Sequence, residues 1–247
     1  MIKLENVVLA SPEQMEFIIE GMRNPMNSWD RSDSYIDAPN KNCNGQSGDS
    51  FYVLGGEDHN LMQRLANAGT YHRNFMSMMP VYVRITAPLY WWKDFDDLPA
   101  AYTIGVISDN SNVIDKIAEK EFTLEDFSFE NIPSTYNWFL NEGDLIVDLL
   151  YALNDARTNY IGTKDKKYWW QMIQLLPSSY NQTRNVMMNY EVLANIYRWR
   201  KDHKLDEWRE FCKWIEGLPY SELITGFDDR LVGSGTGENV SLNHSLG

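Results

Sequence analysis

Residues 175–214, LLPSSYNQTRNVMMNYEVLANIYRWRKDHKLDEWREFCKW, constrain the chain most: a Leu176-Pro177 stop is followed by a long run of polar and apolar residues at helical spacing. At about 100° per residue, Asn185, Asn189 and Arg200 fall within roughly 60° of one another, and Arg184 with Asn195 forms a second polar line beside them. Val186, Tyr190, Leu193 and Tyr197 make the apolar stripe that faces a core. Amides and guanidiniums beside a core need partners, because burying them unpaired costs free energy. A phosphate, a base edge or a neighbouring subunit would supply them.

The rest of the chain alternates strand and helix patterns. Residues 2–9 read as an opening strand. Ser11-Pro12-Glu13-Gln14 gives an N-cap, a proline at the first helical position and a glutamine at the third, ahead of Met15, Ile18, Ile19 and Met22. Residues 25–56 are rich in Asn, Ser, Asp and Gly, and NKNCNGQSGD at 40–49 reads as a loop: functional, an oligomer arm or disordered. A helix is expected over 58–78, with Leu61, Leu65 and Ala68 on one face, His72 and Arg73 near its end, and Pro80 stopping it. Val81, Val83 and Ile85 alternate with Tyr82, Arg84 and Thr86 as a strong strand. Trp91-Trp92 reads as core or interface packing, and the acidic run Asp94, Asp96, Asp97 as a solvated turn rather than paired carboxylates for acid/base work. Further on come a strand at 103–107, a turn at 109–112, a helix start at 123–126, an amphipathic helix at 143–160 carrying Leu145, Ile146, Leu149, Leu150 and Leu153, and an apolar segment at 169–176. A last helical turn follows Pro219.

Length and composition favour one domain over residues 1–225, with 226–247, ending GSGTGENVSLNHSLG, as a flexible tail. No apolar run reaches the roughly 18 residues of a membrane span, and the N-terminus reads as no signal peptide. Two cysteines, Cys43 and Cys212, make neither a disulfide framework nor a metal site, and fit a reducing cytoplasm. None of the four histidines is at metal spacing with another. A net charge of −13 argues against a duplex-DNA binder, whose affinity comes from neutralising phosphates, yet leaves room for a small anion held by a local arginine cluster. No phosphate-binding glycine loop, nucleophile elbow or zinc-protease motif is present, and no catalytic residue stands out. The residues alone describe an α/β protein with an Arg/Asn-rich helix.

Two blocks carry a resemblance. HRNFMSMMPVYVRITAPLYWW, residues 72–92, looks like the His, strand and Ala-Pro element of the flavin-dependent thymidylate synthases, in particular a divergent branch found in phages and their bacterial hosts. That family also shows Leu-Pro, an Asn twelve residues after the proline, a second Asn six further on and an Arg five after that; Leu176-Pro177, Asn189, Asn195 and Arg200 match without a gap. The resemblance implies an α+β fold, a mixed or antiparallel sheet packed with long helices, assembled as a homotetramer. It implies FAD as cofactor and methyl transfer to dUMP from methylenetetrahydrofolate, with NADPH as reductant. Carried over residue by residue, His72, Asn189, Asn195 and Arg200 bind the cofactor, and Arg184 and Asn185 the substrate. The chain departs from the pattern after its Ala-Pro strand, where Asp97-Leu98-Pro99 replaces the family's Arg-His-Arg. Ile173 and Glu191 replace two further arginines, and a family histidine falls on Lys204, with His203 beside it. Lost cations and gained carboxylates weaken the hold on a dianionic nucleotide, so the resemblance leaves open both a diverged enzyme and a non-catalytic acidic interaction or nucleotide-sequestering protein on the same scaffold.

Overall fold

The computed structural model describes residues 2–37, 50–98, 105–108, 117–132 and 142–226. The loop at 40–49, the turn at 109–112 and the tail beyond residue 226 lie outside them. The described elements are β1 (Lys3–Leu9), α1 (Pro12–Arg23), β2 (Tyr35–Asp37), β3 (Phe51–Val53), α2 (Gly56–Asn67), α3 (Asn74–Ser77), β4 (Pro80–Pro88), α4 (Leu89–Asp96) and β5 (Gly105–Ser108). After these come α5 (Glu142–Thr163), α6 (Lys166–Leu175), β6 (Asn181–Asn189), α7 (Tyr190–Arg200), α8 (Asp206–Glu216) and α9 (Glu222–Thr225). The fold is α+β: β1, β4, β6 and β5 form an antiparallel sheet in that order, and β2 with β3 a separate antiparallel pair.

β4 follows its pattern. Val81, Val83, Ile85 and Ala87 are buried, whereas Tyr82 and Arg84 are exposed on the outer face. α1 starts as expected, with Ser11 and Gln14 making a reciprocal capping box. The strand near residue 105 and the final turn, α9, are present, and α5 spans the expected amphipathic segment. Its buried residues are Leu153 and Ala156, however, and Leu145 is exposed. Residues 123–126 form a capped 3-10 turn only.

Two helix assignments are corrected. Residues 58–78 do not make one helix: α2 ends at Asn67, Gly69 takes a positive φ of 101° that a side chain would resist, and α3 starts afresh at Asn74. Residues 175–214 divide into a strand and two helices. Residues 181–189 pair along their whole length with β4, Val81 opposite Met188, Val83 opposite Val186 and Ile85 opposite Arg184. The alternation of Gln182, Arg184, Val186 and Met188 with Thr183, Asn185 and Met187 fits a sheet position beside so strongly patterned a strand. That long-range pairing outweighs a local period in which Val186 and Tyr190 fit equally well.

The main core lies between the inner face of the sheet and helices α1–α4 and α7–α9. Its centre is aromatic: Trp91, Trp92, Phe95, Trp208 and Phe211 are all at most 1% exposed, with Trp91 and Trp208 ring centroids 4.7 Å apart. The tryptophan pair is therefore core, as its sequence suggested. A smaller cluster joins Leu153, Ala156 and Met172 of the α5–α6 hairpin to Ile117, Phe122 and Phe127.

Candidate ligand-binding site

α7 begins where β6 stops, and Asn189 makes the junction. Its side-chain carbonyl accepts from the Val192 N–H (2.9 Å), capping the helix, and its amide donates to the Ser77 carbonyl at the end of α3 (3.0 Å). Both halves of the amide are thus engaged, at 7% exposure. One residue on, Tyr190 donates its backbone N–H to Met79 (3.1 Å). Glu191 meets Arg73 at 2.7 Å and also accepts from Asn195 at 3.3 Å, while the Asn195 amide donates to the Glu191 carbonyl at 3.0 Å. The turn carrying His72 and Arg73 is in this way tied to the first half of α7, together with Asn189 and Asn195. His72 itself is exposed, with its backbone N–H on Gly69 (3.0 Å).

The other end of α7 carries Arg200. Its guanidinium donates to Asp94 Oδ1 (3.2 Å) and lies 5.1 Å from the ring of Trp208, whose indole N–H donates to Asp94 Oδ2 (2.5 Å). His203 Nε2 is 3.9 Å from that same oxygen. Because His203 Nδ1 accepts from the Leu205 N–H (3.2 Å), the neutral ring carries its proton on Nε2, facing Asp94. Deeper in this corner, burial pushes the Cys212 thiol up to about 12, so it stays protonated. Burial, with a hydrogen bond to Glu207, also pushes the Tyr90 phenol up.

Arg184 and Asn185 are separated by the strand. Consecutive residues of β6 point to opposite faces. Arg184 lies in the inner-face register opposite Ile85, its guanidinium 4.3 Å from the Trp92 ring; Nε and Nη2 donate to Gln182 Oε1 (3.1 and 2.9 Å) and Nη1 to Asp96 (2.7 Å). Asn185 is exposed on the outer face, in register with Arg84 and Ile107. The polar line that a continuous helix would have made from Asn185, Asn189 and Arg200 is not formed.

Asp94 and Asp96 are also reassigned: they are the carboxylate partners of Arg200 and Arg184, not a free solvated turn. The sequence marked this acidic run and both arginines, but no local spacing links residues about 90 to 106 positions apart. Two surface hollows, about 550 Å3 beside Asn60, Gln63, Arg64 and Asn67 and about 340 Å3 beside Glu13, Gln14, Phe17 and Met78, are lined by none of these side chains. Among the described residues no group of three His, Cys, Asp or Glu side chains could hold a metal, and no helix is long and apolar enough to cross a membrane.

Solved structures give the comparison for this arrangement. Flavin-dependent thymidylate synthase ThyX from Helicobacter pylori, complexed with FAD and dUMP, superposes with a TM-score of 0.56 at 16% identity, over 90% of this chain and 95% of that one. The chain has the fold of the flavin-dependent thymidylate synthases. A second ThyX structure from the same organism, with FAD and dUMP, gives 0.56 at 15% identity. The UMP/dUMP methylase PolB from Streptomyces cacaoi, bound with 5-Br dUMP, gives 0.53 at 14% identity, over 92% and 96% of the two chains. No family model and no curated protein sequence matches.

Amide and guanidinium groups are of the kind that pair with the flat hydrogen-bonding ring of a flavin or a uracil, but the Asn189 and Asn195 amides are here both bonded within the chain. The same side chains do not, in this arrangement, fit the phosphates of such ligands. Arg73, Arg184 and Arg200 each face a carboxylate of this chain, Glu191, Asp96 and Asp94.

Proposed function

We propose that the protein is a flavin-dependent thymidylate synthase-like protein that binds FAD and a pyrimidine deoxynucleotide beside α7, using them for methyl transfer to dUMP or for a diverged version of that reaction. The observation that carries this reading is the thymidylate synthase fold over nine-tenths of the chain, with Asn189 capping α7 and Asn195 and Arg200 along it. The family arrangement adds a homotetramer in the cytoplasm, NADPH as reductant and methylenetetrahydrofolate as one-carbon donor.

A second reading is favoured by the carboxylate partners of all three arginines and by the net charge of −13. It is a non-catalytic protein on the same scaffold that sequesters a nucleotide or binds another protein.

An absorbance spectrum of the purified protein, followed by thermal shift with FAD and with dUMP, tests the first reading. Flavin absorption, or a rise in melting temperature with FAD that Arg200→Ala abolishes, supports it, whereas a rise with dUMP alone supports the nucleotide-sequestering form of the second. A colourless protein indifferent to both ligands overturns it in favour of the second.

A further inference from the structure

Two arginine sandwiches flank α4. Asp94 and Asp96 are two residues apart, so their side chains leave the helix about 200° apart, each toward a guanidinium backed by an indole. On one flank Arg184 is packed on Trp92, and on the other Arg200 is packed on Trp208. The flanks differ in how completely the arginine is occupied. Arg184 donates from Nε, Nη1 and Nη2, two of the three to Gln182, and so keeps most of its bonds whatever Asp96 does. Arg200 donates to Asp94 through Nη2, while its buried Nε has no hydrogen-bond partner. Among the described residues its charge is met by one carboxylate, which Trp208 and His203 also face.

We propose that Asp94 is a specificity determinant of this site: a built-in carboxylate that holds the place of a phosphate on Arg200 and lowers the site's affinity for phosphate-bearing ligands relative to the same ligands without phosphate. A phosphate dianion approaching Arg200 must displace Asp94 and then lie beside its half-buried negative charge, which repels it. Removing that charge while keeping the side chain's shape leaves the Arg200 guanidinium and the His203 N–H, both part-exposed, with no anion between them, the donor set that charge-assisted phosphate binding uses. The proposal rests on the preceding functional reading only for its nucleoside probes; inorganic phosphate tests the anion claim by itself.

The experiment is calorimetric titration at low ionic strength of the full chain and its Asp94→Asn, Asp96→Asn and Asp94→Asn/Arg200→Gln variants with inorganic phosphate, dUMP and deoxyuridine. The side-chain amide introduced by Asp94→Asn can still accept from the Trp208 indole through its carbonyl oxygen, so the fold is expected to hold. Asp94→Asn is expected to bind phosphate and dUMP about tenfold more tightly than the unaltered chain, the scale of one charge-assisted bond. Deoxyuridine is expected to change by no more than about twofold and Asp96→Asn to gain less than about threefold for phosphate, because Gln182 still holds Arg184. Adding Arg200→Gln should remove the gain. If Asp94→Asn does not fold, as judged by circular dichroism and melting, Asp94→Ser is held to the same values. Unchanged phosphate affinity in a folded variant, an equal gain for deoxyuridine or in Asp96→Asn, or a gain that survives Arg200→Gln overturns the proposal. A phosphate gain with no binding of dUMP or deoxyuridine by any variant supports it and overturns the pyrimidine reading instead.

Discussion

Arg73 and Glu191 face each other at 2.7 Å across the junction of the α3 turn and α7, with side chains 5% and 17% exposed. The resemblance to flavin-dependent thymidylate synthases has an arginine where Glu191 stands, so this position carries the opposite charge and serves a contact inside the chain. Removing Arg73 strands a largely buried carboxylate, whereas removing both partners strands neither. Arg73→Ala is expected to lower the unfolding free energy by about 3 kcal/mol, and Arg73→Ala/Glu191→Ala by clearly less. Urea denaturation of the two variants checks this; equal losses would mean that packing, not charge, governs the junction.

Asn189 has two separable duties. Asn189→Ala loses the cap on Val192 and the bond to Ser77, and is expected to destabilise by about 1–2 kcal/mol. Asn189→Asp keeps an acceptor for the cap but loses the Ser77 bond and sets a carboxylate oxygen against that carbonyl, so its melting temperature should fall below the parent's although α7 stays capped. If aspartate is as damaging as alanine, the contact with α3 is the one that matters.

Gly55 is needed for its lack of a side chain. A Cβ there would lie 2.1 Å from the Asp33 carboxyl carbon, and Asp33 accepts from the N–H groups of Glu57 (3.0 Å) and Asp58 (3.1 Å) at the start of α2. Gly55→Ala must displace that carboxylate, and the expected cost is about 1–3 kcal/mol, as for other overpacked sites. A melting curve at neutral pH measures it.

Much of this fold was readable from local pattern. β4 alternates cleanly, α1 announces itself by its capping box, and the tryptophan pair is bulky enough that burial was its default. What escaped was whatever depended on a partner distant in sequence. Residues 181–189 carry a pattern compatible with helix or strand, and only nine residues of pairing with β4 decide between them. The candidate site shows the same limit. Arg184, Asn189, Asn195 and Arg200 were visible as polar residues among apolar ones, but their partners Asp96, Ser77 and Asp94 lie about 90 to 110 positions away in the chain. Glu191 is near Asn195 in sequence, yet its tie to Arg73 depends on α3 packing against α7.

Asp58 gives the stability of this chain a defined pH dependence. It is fully buried and accepts from Arg23 Nε (2.5 Å), the Ser32 and Ser34 hydroxyls (2.7 and 2.6 Å) and the backbone N–H groups of Asp33 and Ser34 (3.2 Å each), pinning the irregular segment leading into β2 against α1 and α2. Burial pushes its carboxyl up, but the bonds from Ser34, Ser32 and Arg23 together outweigh that and hold it below its ordinary value of 3.8. A carboxylate with a lowered folded-state value adds stability that is fully present above the ordinary value and is lost as pH falls through the folded one. Asp58→Asn is therefore expected to lower stability at pH 7 by about 3–5 kcal/mol, because it leaves the Arg23 guanidinium buried without its counter-charge. It should also flatten the decline in stability that the parent shows as pH drops below about 4. Urea midpoints at pH 7, 5, 4 and 3 measure both effects, and a variant whose midpoints fall in parallel with the parent's would show that Asp58 is not the group titrating.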